Sequence, residues 1–598
     1  MPLIGHLRRV VPYYRPYRFS FAGGLALVVV SSAIGSIIPW LLRQAIDAIR
    51  AGAATGRIWQ LSALIVASAI VGGVLRYLMR ELVNGVSRRM EYDLRNDLFG
   101  RLTTLDARFF SGMRTGDIMA RLSNDLGAVR MAVGPAVMYL MNTIFGGVFA
   151  LVFMVAISAK LTGLALLPLL MLPAITIKMG KAIHDRFESV QEHFSTLTTR
   201  AQENLTGARI VRAYRQEQAE IERFAGLNDE YLTRNMALVR LWATMNPLFE
   251  LFGGIGAAVV LGFGGMLALR GTITVGEFVA FGLYLAMLTW PMIALGWVVN
   301  LFQRGDASMG RLYDILDARP SVVTVEPVRH LPAAAGGRAV EFRDVGFHYP
   351  VAAGAMPRWA LRNVSFVVRS GATMGIVGAT GSGKSSLMDL LSRLQDPQEG
   401  EILIDGIPIA QLPIEELRAE MGVVPQESLL FSDTIDSNLS YGANDVEDGR
   451  RASTIAQLFE TIAAFPGGYQ TILGERGINL SGGQKQRAAL ARALARNPSI
   501  VLLDDALSAV DTATEAEILR ALGETLTGRT TLIASHRISA IRKASWIVVL
   551  DDGRIVEQGR HDELVAHRGR YWSLLRRQQL LDAVEGEPLA SAALAATI

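Results

Sequence analysis

A glycine-rich stretch, GATGSGKSS, carries the clearest chemical signal in the chain. It follows the apolar run MGIV and precedes the helix-like run LMDLLSRL, and this strand–turn–helix context makes a GxxxxGK[ST] pattern credible as a phosphate-binding loop. In such a loop backbone N–H groups surround the phosphates, a lysine adds positive charge and a hydroxyl reaches Mg²⁺. The predicted nucleotide-binding residues are Gly378, Ala379, Thr380, Gly381, Ser382, Gly383, Lys384, Ser385 and Ser386.

The second chemical element is the apolar run PSIVLLDD, which ends in two aspartates. Its aliphatic residues predict a buried strand that carries Asp504 to the strand end, where a carboxylate can hold a phosphate-bridging Mg²⁺. Asp505 follows at the position where nucleotide-hydrolysing proteins usually place a Glu. Because Asp is one methylene shorter, we predict that its carboxylate falls short of the attacking water and that the site hydrolyses slowly.

These residues lie in the soluble-looking second half of a chain that is otherwise unusually apolar. Hydrophobic residues make up 51% of the 598 residues, which is high for a soluble protein. Six apolar blocks reach the ~20 residues that a bilayer requires. They are residues 19–42, 58–80, 133–157, 159–178, 248–269 and 277–301. The alternative, buried helices of a large soluble protein, would need all six runs to arise by coincidence. Residues 3–17 are expected to form an interfacial helix.

Charge indicates the orientation of the chain and does not suggest a nucleic-acid partner. Arginines are concentrated in the connection between the second and third apolar blocks, so this connection is expected in the cytoplasm. The nucleotide-binding half then also faces the cytoplasm. The small net charge of +4 gives no sign of a nucleic-acid partner.

A Pro/Ala/Gly-rich linker separates the two halves. The predicted fold is multidomain: an all-α domain with six transmembrane helices, followed by an α/β P-loop ATPase domain. The predicted divisions are a transmembrane domain at 1–318, a linker at 319–337, a nucleotide-binding domain at 338–578 and a tail at 579–598.

The octapeptide LSGGQKQR, residues 480–487, is the most specific motif in the chain. A Gly-Gly pair that opens a helical run offers free N–H groups to an anion. The octapeptide resembles the signature motif of ABC transporters, which implies that it contacts the γ-phosphate of an ATP held by another subunit. The implied contacts come from Leu480, Ser481, Gly482, Gly483 and Gln484.

Further segments resemble the same family and occur in its order. FHYP resembles the loop in which an aromatic residue, here Tyr349, stacks on adenine. VVPQESLLF resembles the loop whose glutamine, Gln426, senses Mg²⁺ and the membrane domain, and ASHR resembles the switch that contains His536. Asp511 resembles the D-loop aspartate, and GERG with Glu475 resembles an exporter segment that touches the partner's membrane domain.

The resemblance implies one ATP·Mg²⁺ site per chain. Its metal ligands would be Ser385, Gln426 and Asp504. Its catalytic set would be Gln426, His536 and Asp505, with Asp505 at a degenerate base position.

The six blocks and the single set of ATP motifs resemble half of an ABC exporter, so a second half-transporter is expected as partner. DDALSAVD resembles the degenerate half of bacterial heterodimeric multidrug exporters, whose other chain carries Glu. A homodimer with slow hydrolysis and an ABC-type channel or regulator remain as alternatives. A soluble ABC ATPase would lack the apolar blocks.

The transported substrate cannot be read from the residues. Membrane lipid surrounds the predicted spans, and apolar helices suit hydrophobic or amphipathic drugs, lipids and peptides equally well. Coupling between the two domains is expected through two cytoplasmic segments, Thr115–Leu126 and Asn204–Tyr214.

Overall fold

The computed structural model describes residues 5–334, 336–350, 356–474, 477 and 479–586. Contacts divide the chain into two units. The first, here called the membrane unit, comprises Met1–Thr104 and Arg114–Ala318. The second, here called the ATPase unit, comprises Leu105–Met113 and Arg319–Ile598.

The described residues of the membrane unit form helices joined by short turns. Its helices are α1 (Val11–Tyr14), α2 (Arg18–Arg50), α3 (Thr55–Thr104), α5 (Thr115–Ala120), α6 (Leu126–Met131), α7 (Val137–Leu169), α8 (Met171–Thr206), α9 (Ala208–Ala213), α10 (Glu217–Val259), α11 (Gly265–Leu269) and α12 (Val275–Leu316). Short π-helical segments continue several of them, at Arg121–Asp125, Ala132–Ala136 and Val260–Gly264.

Several of these helices are much longer than a bilayer is thick. The 50 residues of α3 extend about 75 Å at 1.5 Å per residue, against a hydrocarbon core of ~30 Å. Four helical stretches among the described residues are long and apolar enough to span: Leu7–Arg50, Thr55–Thr104, Thr115–Leu169 and Glu217–Leu269. The expected total of six spans stays a prediction.

Hydrogen bonds join α12, the last helix of the membrane unit, to two earlier segments of that unit. The buried Tyr284 hydroxyl of α12 donates a hydrogen bond to the Ser36 carbonyl of α2 at 2.7 Å. Further along α12, Arg311 donates through Nε to Asp125 at 2.8 Å, and the Ser308 hydroxyl donates to the same carboxylate at 2.9 Å. These bonds fix α12 against two other parts of the unit.

The ATPase unit contains two sheets with helices around them. The strands are β1 (Val340–His348), β2 (Trp359–Val368), β3 (Thr373–Gly378), β4 (Glu399–Ile404), β5 (Ile407–Pro408), β6 (Met421–Val424), β7 (Ile500–Asp504), β8 (Thr530–Ser535), β9 (Trp546–Asp551) and β10 (Arg554–Gly559). The helices are α4 (Ala107–Gly112), α13 (Lys384–Leu391), α14 (Ile414–Ala419), α15 (Ile435–Leu439), α16 (Val446–Ile455), α17 (Phe459–Ala463), α18 (Gly482–Ala495), α19 (Thr512–Thr525), α20 (Ile538–Ile541), α21 (His561–His567) and α22 (Arg570–Gly586).

The topology of the larger sheet positions the chemistry. The strand order is β10-β9-β3-β8-β7-β6, and β3, β8, β7 and β6 are parallel neighbours. All five residues of β7 are buried, as the apolar run predicts for a central strand covered on both faces. Parallel strands end at the same sheet edge, where ligands of open α/β sheets bind. The segments after β3, β8, β7 and β6 therefore meet at one edge.

A short segment from the first third of the chain belongs to the ATPase unit. Asp106 caps α4 by accepting a hydrogen bond from the Phe109 amide at 3.3 Å. The same carboxylate accepts hydrogen bonds from the amide and hydroxyl of Ser321, the latter at 2.6 Å, and from the Val322 amide at 3.2 Å. We call this arrangement the Asp106 clamp. It precedes the predicted coupling segment Thr115–Leu126, which lies in the membrane unit.

The C-terminal helix is longer than the sequence prediction. A loose tail was expected from residue 579, whereas α22 continues to Gly586. Its last turns contain Leu, Ala, Val and Glu and reach a glycine only at the end, and such residues favour helix continuation. Residues 587–598 of the predicted tail lie outside the described part of the chain.

Candidate nucleotide-binding site

The phosphate loop forms the expected strand–turn–helix unit between β3 and α13. Gly383 caps α13 with a left-handed φ of +102°, and a Cβ there would lie 2.6 Å from the Ala360 carbonyl oxygen. A Cβ on Gly378 would lie 2.3 Å from the Leu550 carbonyl oxygen. Gly383 is therefore required both by backbone conformation and by close packing, and Gly378 by close packing alone.

Lys384 is buried within this loop. Its ammonium group donates hydrogen bonds to the carbonyls of Gly378 at 2.9 Å and Ala379 at 3.1 Å. Burial lowers the pKa of Lys384, while the charges of Asp505 and Asp504 oppose the shift. A buried cation held by backbone carbonyls and facing acidic side chains is a ready partner for phosphate oxygens.

Two buried polar atoms beside the lysine have no hydrogen-bond partner in the described structure, namely the Ser382 hydroxyl oxygen and Asp504 Oδ1. Unpaired buried polar groups are costly, and a water or ion that pairs with them is one explanation. The donor set fits ATP with Mg²⁺: Ser382 can donate to a phosphate, and Asp504 can bind a divalent cation or its water.

The surroundings of Asp504 shift the pKa of its carboxyl group. Burial is the largest influence and raises the pKa of Asp504. A hydrogen bond from Ser385 opposes the rise, the charge of Asp505 adds to it, and Lys384 opposes it. Burial also raises the pKa of Asp389 in α13 to about 6, with a contribution from Asp504. Negative charge is thus disfavoured here without a cation, as expected for a metal ligand.

Asp505 and His536 are hydrogen-bonded to each other. Asp505 Oδ1 accepts from the His536 backbone amide at 3.0 Å and lies 2.9 Å from the His536 ring nitrogen Nδ1. Asp505 itself is buried and has a left-handed φ of +45°, which an aspartate tolerates better than most residues. Its carboxylate is therefore already used to hold the switch histidine.

Tyr349 and Gln426 lie on segments that follow strands. The Tyr349 hydroxyl is 2.9 Å from the Ser386 hydroxyl in the first turn of α13, and its ring packs edge-on against Phe347. This places an aromatic ring beside the phosphate loop. Gln426 is exposed and lies two residues beyond the end of β6. The segments that follow β3, β7 and β8 and carry the other site residues begin at the same edge of the sheet. Thr380, Gly381 and Ser385 occupy the loop and α13 as predicted from the motif.

The signature motif opens α18, and Ser481 is its N-cap. The Ser481 hydroxyl accepts from the Gln484 amide at 3.3 Å, and the Gln484 side chain accepts from the Ser481 amide at 2.9 Å. A Cβ on Gly483 would lie 2.6 Å from the Ala509 carbonyl oxygen, so this helix end packs tightly on the segment after β7. Leu480 is buried behind it, and Gly482 is the first helical residue.

The signature residues and the phosphate loop are not joined by a hydrogen bond among the described residues of this chain. Ser481 is bonded within its own helix, and Lys384 within its own loop. Glu475, singled out from the sequence, lies outside the described residues. Asp511 caps α19 by accepting from the Thr514 amide at 2.9 Å.

Sequence reasoning missed two side chains of α18 that organise the site. Gln486 is buried and donates to the Asp505 carbonyl at 3.3 Å and to the Ser508 hydroxyl at 2.8 Å, while its oxygen accepts from the Ala509 amide at 2.9 Å. It thereby fixes the backbone around Asp505. The only sequence signal was a glutamine on the otherwise apolar, alanine-rich face of the helix.

The other missed residue is Arg492. Its guanidinium donates to the Leu429 carbonyl at 2.9 Å and to Asn438 through both the carbonyl and the side-chain oxygen, at 2.9 and 2.8 Å. It also lies over the rings of Phe431 and Tyr441. The segment after Gln426 is thus attached to the helix that carries the signature.

The fold and the site together define a membrane protein with a cytoplasmic ATPase domain of the ABC type. The model of the ABC transporter transmembrane region matches residues 21–292, and the ABC transporter model matches residues 361–508. The chain belongs to the ABC transporter family. It is an exporter-type chain with fused transmembrane and ATP-binding domains, a multi-pass protein of the inner membrane whose ATP hydrolysis is coupled to transport.

Particular relatives cover almost the whole chain. A probable multidrug resistance ABC transporter ATP-binding/permease protein, YheI of Bacillus subtilis, is 38% identical over 97% of this chain and 99% of its own length. The multidrug resistance-like ATP-binding protein MdlA of Escherichia coli is 36% identical, with 96% and 97% covered. The ATP-dependent lipid A-core flippase of Syntrophus aciditrophicus is 34% identical, with 97% and 96% covered.

A solved structure gives the same result. The structure of a bacterial Atm1-family ABC exporter with ATP bound superposes with a TM-score of 0.76 at 29% sequence identity. The match covers 94% of this chain and 98% of that one. The predicted fold class, a helical transmembrane domain followed by an α/β ATPase domain, is confirmed.

Proposed function

We propose that this chain is one half of a dimeric exporter of hydrophobic or amphipathic solutes and that it contributes the slow ATP site of a heterodimer. The observation that carries the proposal is the side chain at the base position. Asp505 is shorter than Glu by one methylene, and its Oδ1 is occupied by the His536 amide and ring. Misplacement of a catalytic group by ~1 Å can cost about a hundredfold in rate.

The residues that bind nucleotide are nevertheless complete. Lys384 and Ser382 would hold phosphate oxygens, Ser385, Gln426 and Asp504 would hold Mg²⁺, and Tyr349 would support the adenine. When bound, Mg²⁺ neutralises charge on the phosphates. Tight binding combined with slow hydrolysis suits a site that keeps the two ATPase domains together.

A second chain is needed because this one has a single phosphate loop and a single signature. The N-cap Ser481 and the Gly-Gly pair of α18 would face the partner's ATP. Helix N-termini stabilise anions, so this end of α18 is suited to complete a competent site on a partner that carries Glu.

The substrate class rests on the membrane unit and on the relatives. Large apolar side chains such as Trp59, Ile70 and Leu261 are exposed on its long helices, as expected for contact with lipid. Two relatives are named for multidrug resistance and one for lipid A-core flipping. Hydrophobic drugs and lipids are therefore the proposed cargo.

A slow homodimer is the second candidate, and a specific observation favours it. Asp505 keeps a carboxylate at the base position, next to an intact His536. If that carboxylate positions water well enough, two identical chains would suffice.

Asymmetric substitutions in the complex purified from native membranes distinguish the two. For the heterodimer, Ser481→Arg nearly abolishes ATP turnover because a cation then occupies the phosphate-binding end of α18, whereas Asp505→Asn changes turnover little. Ser481→Ala is the matched control for the loss of the hydroxyl alone. Arrest of hydrolysis by Asp505→Asn, or full transport by this chain alone in proteoliposomes, contradicts the proposed role.

A further inference from the structure

The ATPase unit contains a cavity that the nucleotide site does not use. Its volume is about 580 Å³, within the range of ~300–1,000 Å³ typical of small-molecule sites. Its walls come from the beginning of β3, from β8, from α19 with the turn after it, and from α20 with the residues that follow.

The cavity lining shares no residue with the phosphate loop. It reaches Thr373, the first residue of β3, whereas the loop follows Gly378, the last residue of that strand. At about 3.3 Å per residue, β3 separates Thr373 from the loop by roughly 17 Å. On β7 the cavity reaches Leu503, the residue before Asp504. A molecule in the cavity would not occupy the ATP site.

Most of the wall is apolar. Leu503, Leu519, Leu522, Leu526 and Ile533 line it. Such a surface favours an aliphatic or aromatic body over a purely polar ligand.

One polar group in the wall lacks a partner. Thr531 is 1% exposed, and its hydroxyl oxygen makes no hydrogen bond within the described structure. A buried hydroxyl without a partner is unfavourable, and a ligand atom that pairs with it would remove that cost.

The charged residues that line the cavity are mostly positive. Arg520, Arg542 and Lys543 line the cavity, and no hydrogen bond or ion pair engages their side chains in the described part of the chain. The one carboxylate in the lining, Glu515, is buried and already accepts from Arg537 and Ser539, both at 2.9 Å. Three cations, each also exposed to solvent, thus line a cavity whose one lining carboxylate is already bonded.

We propose that this cavity binds an amphipathic anion: a single aliphatic chain that carries one carboxylate or phosphate. The chain packs on the leucine wall, and the acidic group pairs with Arg520, Arg542 or Lys543. At about 30 Å³ per heavy-atom group, the ten heavy atoms of octanoate fill ~300 Å³, so the cavity accepts one such chain with room for a longer one.

Gly523 provides a direct test. It lines the cavity within α19, and a Cβ built on it meets no atom within 4 Å. Gly523→Trp should therefore fill the cavity without a backbone clash, and Gly523→Ala is the matched control that adds a methyl group only. Neither residue change touches the nucleotide site, so ATP binding by each variant verifies folding.

The measurement is calorimetric titration of octanoate into the full-length protein in lipid nanodiscs. We expect octanoate to bind saturably to the wild type and to Gly523→Ala. For Gly523→Trp the saturable component should disappear, and only the partition of octanoate into the nanodisc lipid should remain. Octanol, with the same chain and no charge, should bind at least tenfold more weakly. Deuterium uptake at residues 516–527 should fall only when octanoate occupies the cavity.

Charge variants provide the independent check. Arg520→Gln, Arg542→Gln and Lys543→Gln together should weaken octanoate at least tenfold and leave octanol unchanged. Identical titrations for Gly523→Trp and the wild type, or equal binding of octanol and octanoate, overturn the proposal. Because nothing in this test involves transport or the partner chain, its failure would leave the proposed export function unaffected.

Discussion

Lengthening the side chain at position 505 is the sharpest test of the slow-site argument. We consider Asp505→Glu in a chain that also carries Ser481→Arg. The arginine silences the site on the partner, so the remaining turnover reports on this chain's own phosphate loop. The second substitution then supplies the missing methylene.

The expected gain follows from two opposing effects. A carboxylate misplaced by ~1 Å loses about a hundredfold, or roughly 2.7 kcal/mol of transition-state stabilisation. Against this, Asp505 Oδ1 holds the His536 amide at 3.0 Å and the ring at 2.9 Å. Giving up one of these charge-assisted hydrogen bonds costs at least ~1.5 kcal/mol. The difference, at most about 1.2 kcal/mol, predicts a rise in turnover of up to roughly eightfold.

The assay is steady-state ATP hydrolysis by the purified complex in nanodiscs, with Ser481→Arg alone and Ser481→Arg/Asp505→Asn as matched controls. Equal rates of ATP hydrolysis for the Ser481→Arg/Asp505→Glu and Ser481→Arg/Asp505→Asn variants would refute this prediction, because the length of the side chain at position 505 would then not limit hydrolysis. A homodimer gives a different pattern: Ser481→Arg silences both sites and the glutamate restores nothing, whereas Asp505→Glu alone accelerates turnover.

Three further predictions concern adenine binding, metal binding and the coupling of hydrolysis to transport. Tyr349→Ala should weaken ATP binding by ~1–3 kcal/mol, the value of one base–aromatic stack, while Tyr349→Phe, which loses only the hydroxyl bonded to Ser386, should bind nearly normally in fluorescent-nucleotide titrations. Mg²⁺-dependent ATP affinity should fall as the pH drops through the raised pKa of Asp504, because the metal requires the ionised carboxylate. Asp505→Asn removes a charge that raises this pKa, so the midpoint of the pH titration should move to lower pH, and an unmoved midpoint contradicts the assignment of Asp504 as the metal ligand. Substitutions at Asp117 and Arg209 in the predicted coupling segments should reduce transport in proteoliposomes more than basal hydrolysis; equal losses would indicate damage to folding or to ATP binding.

The local parts of the nucleotide site could be predicted from the sequence. The phosphate loop and Asp504 are each contained in one strand and the turn after it, so residue type and spacing specify them. The capping box at Ser481 and Gln484 is equally local. In all three cases the residues that interact are within a few positions of each other.

The long-range parts could not be predicted. The bond between Asp505 and His536 joins residues 31 positions apart, and that between Arg492 and Leu429 joins residues 63 apart. Such pairs depend on which strands become neighbours and on how a helix is rotated against the sheet. The Asp106 clamp spans 215 positions and involves no motif.

The Asp106 clamp also determines how the ATPase unit can be isolated. The chain enters this unit at Leu105, leaves it after Met113 and returns at Arg319, so three peptide bonds join the two units. A fragment that starts at residue 319 would leave the Ser321 and Val322 amides without their acceptor. We therefore expect such a fragment to begin with a frayed N-terminus, and a tethered copy of residues 105–113 to restore its order.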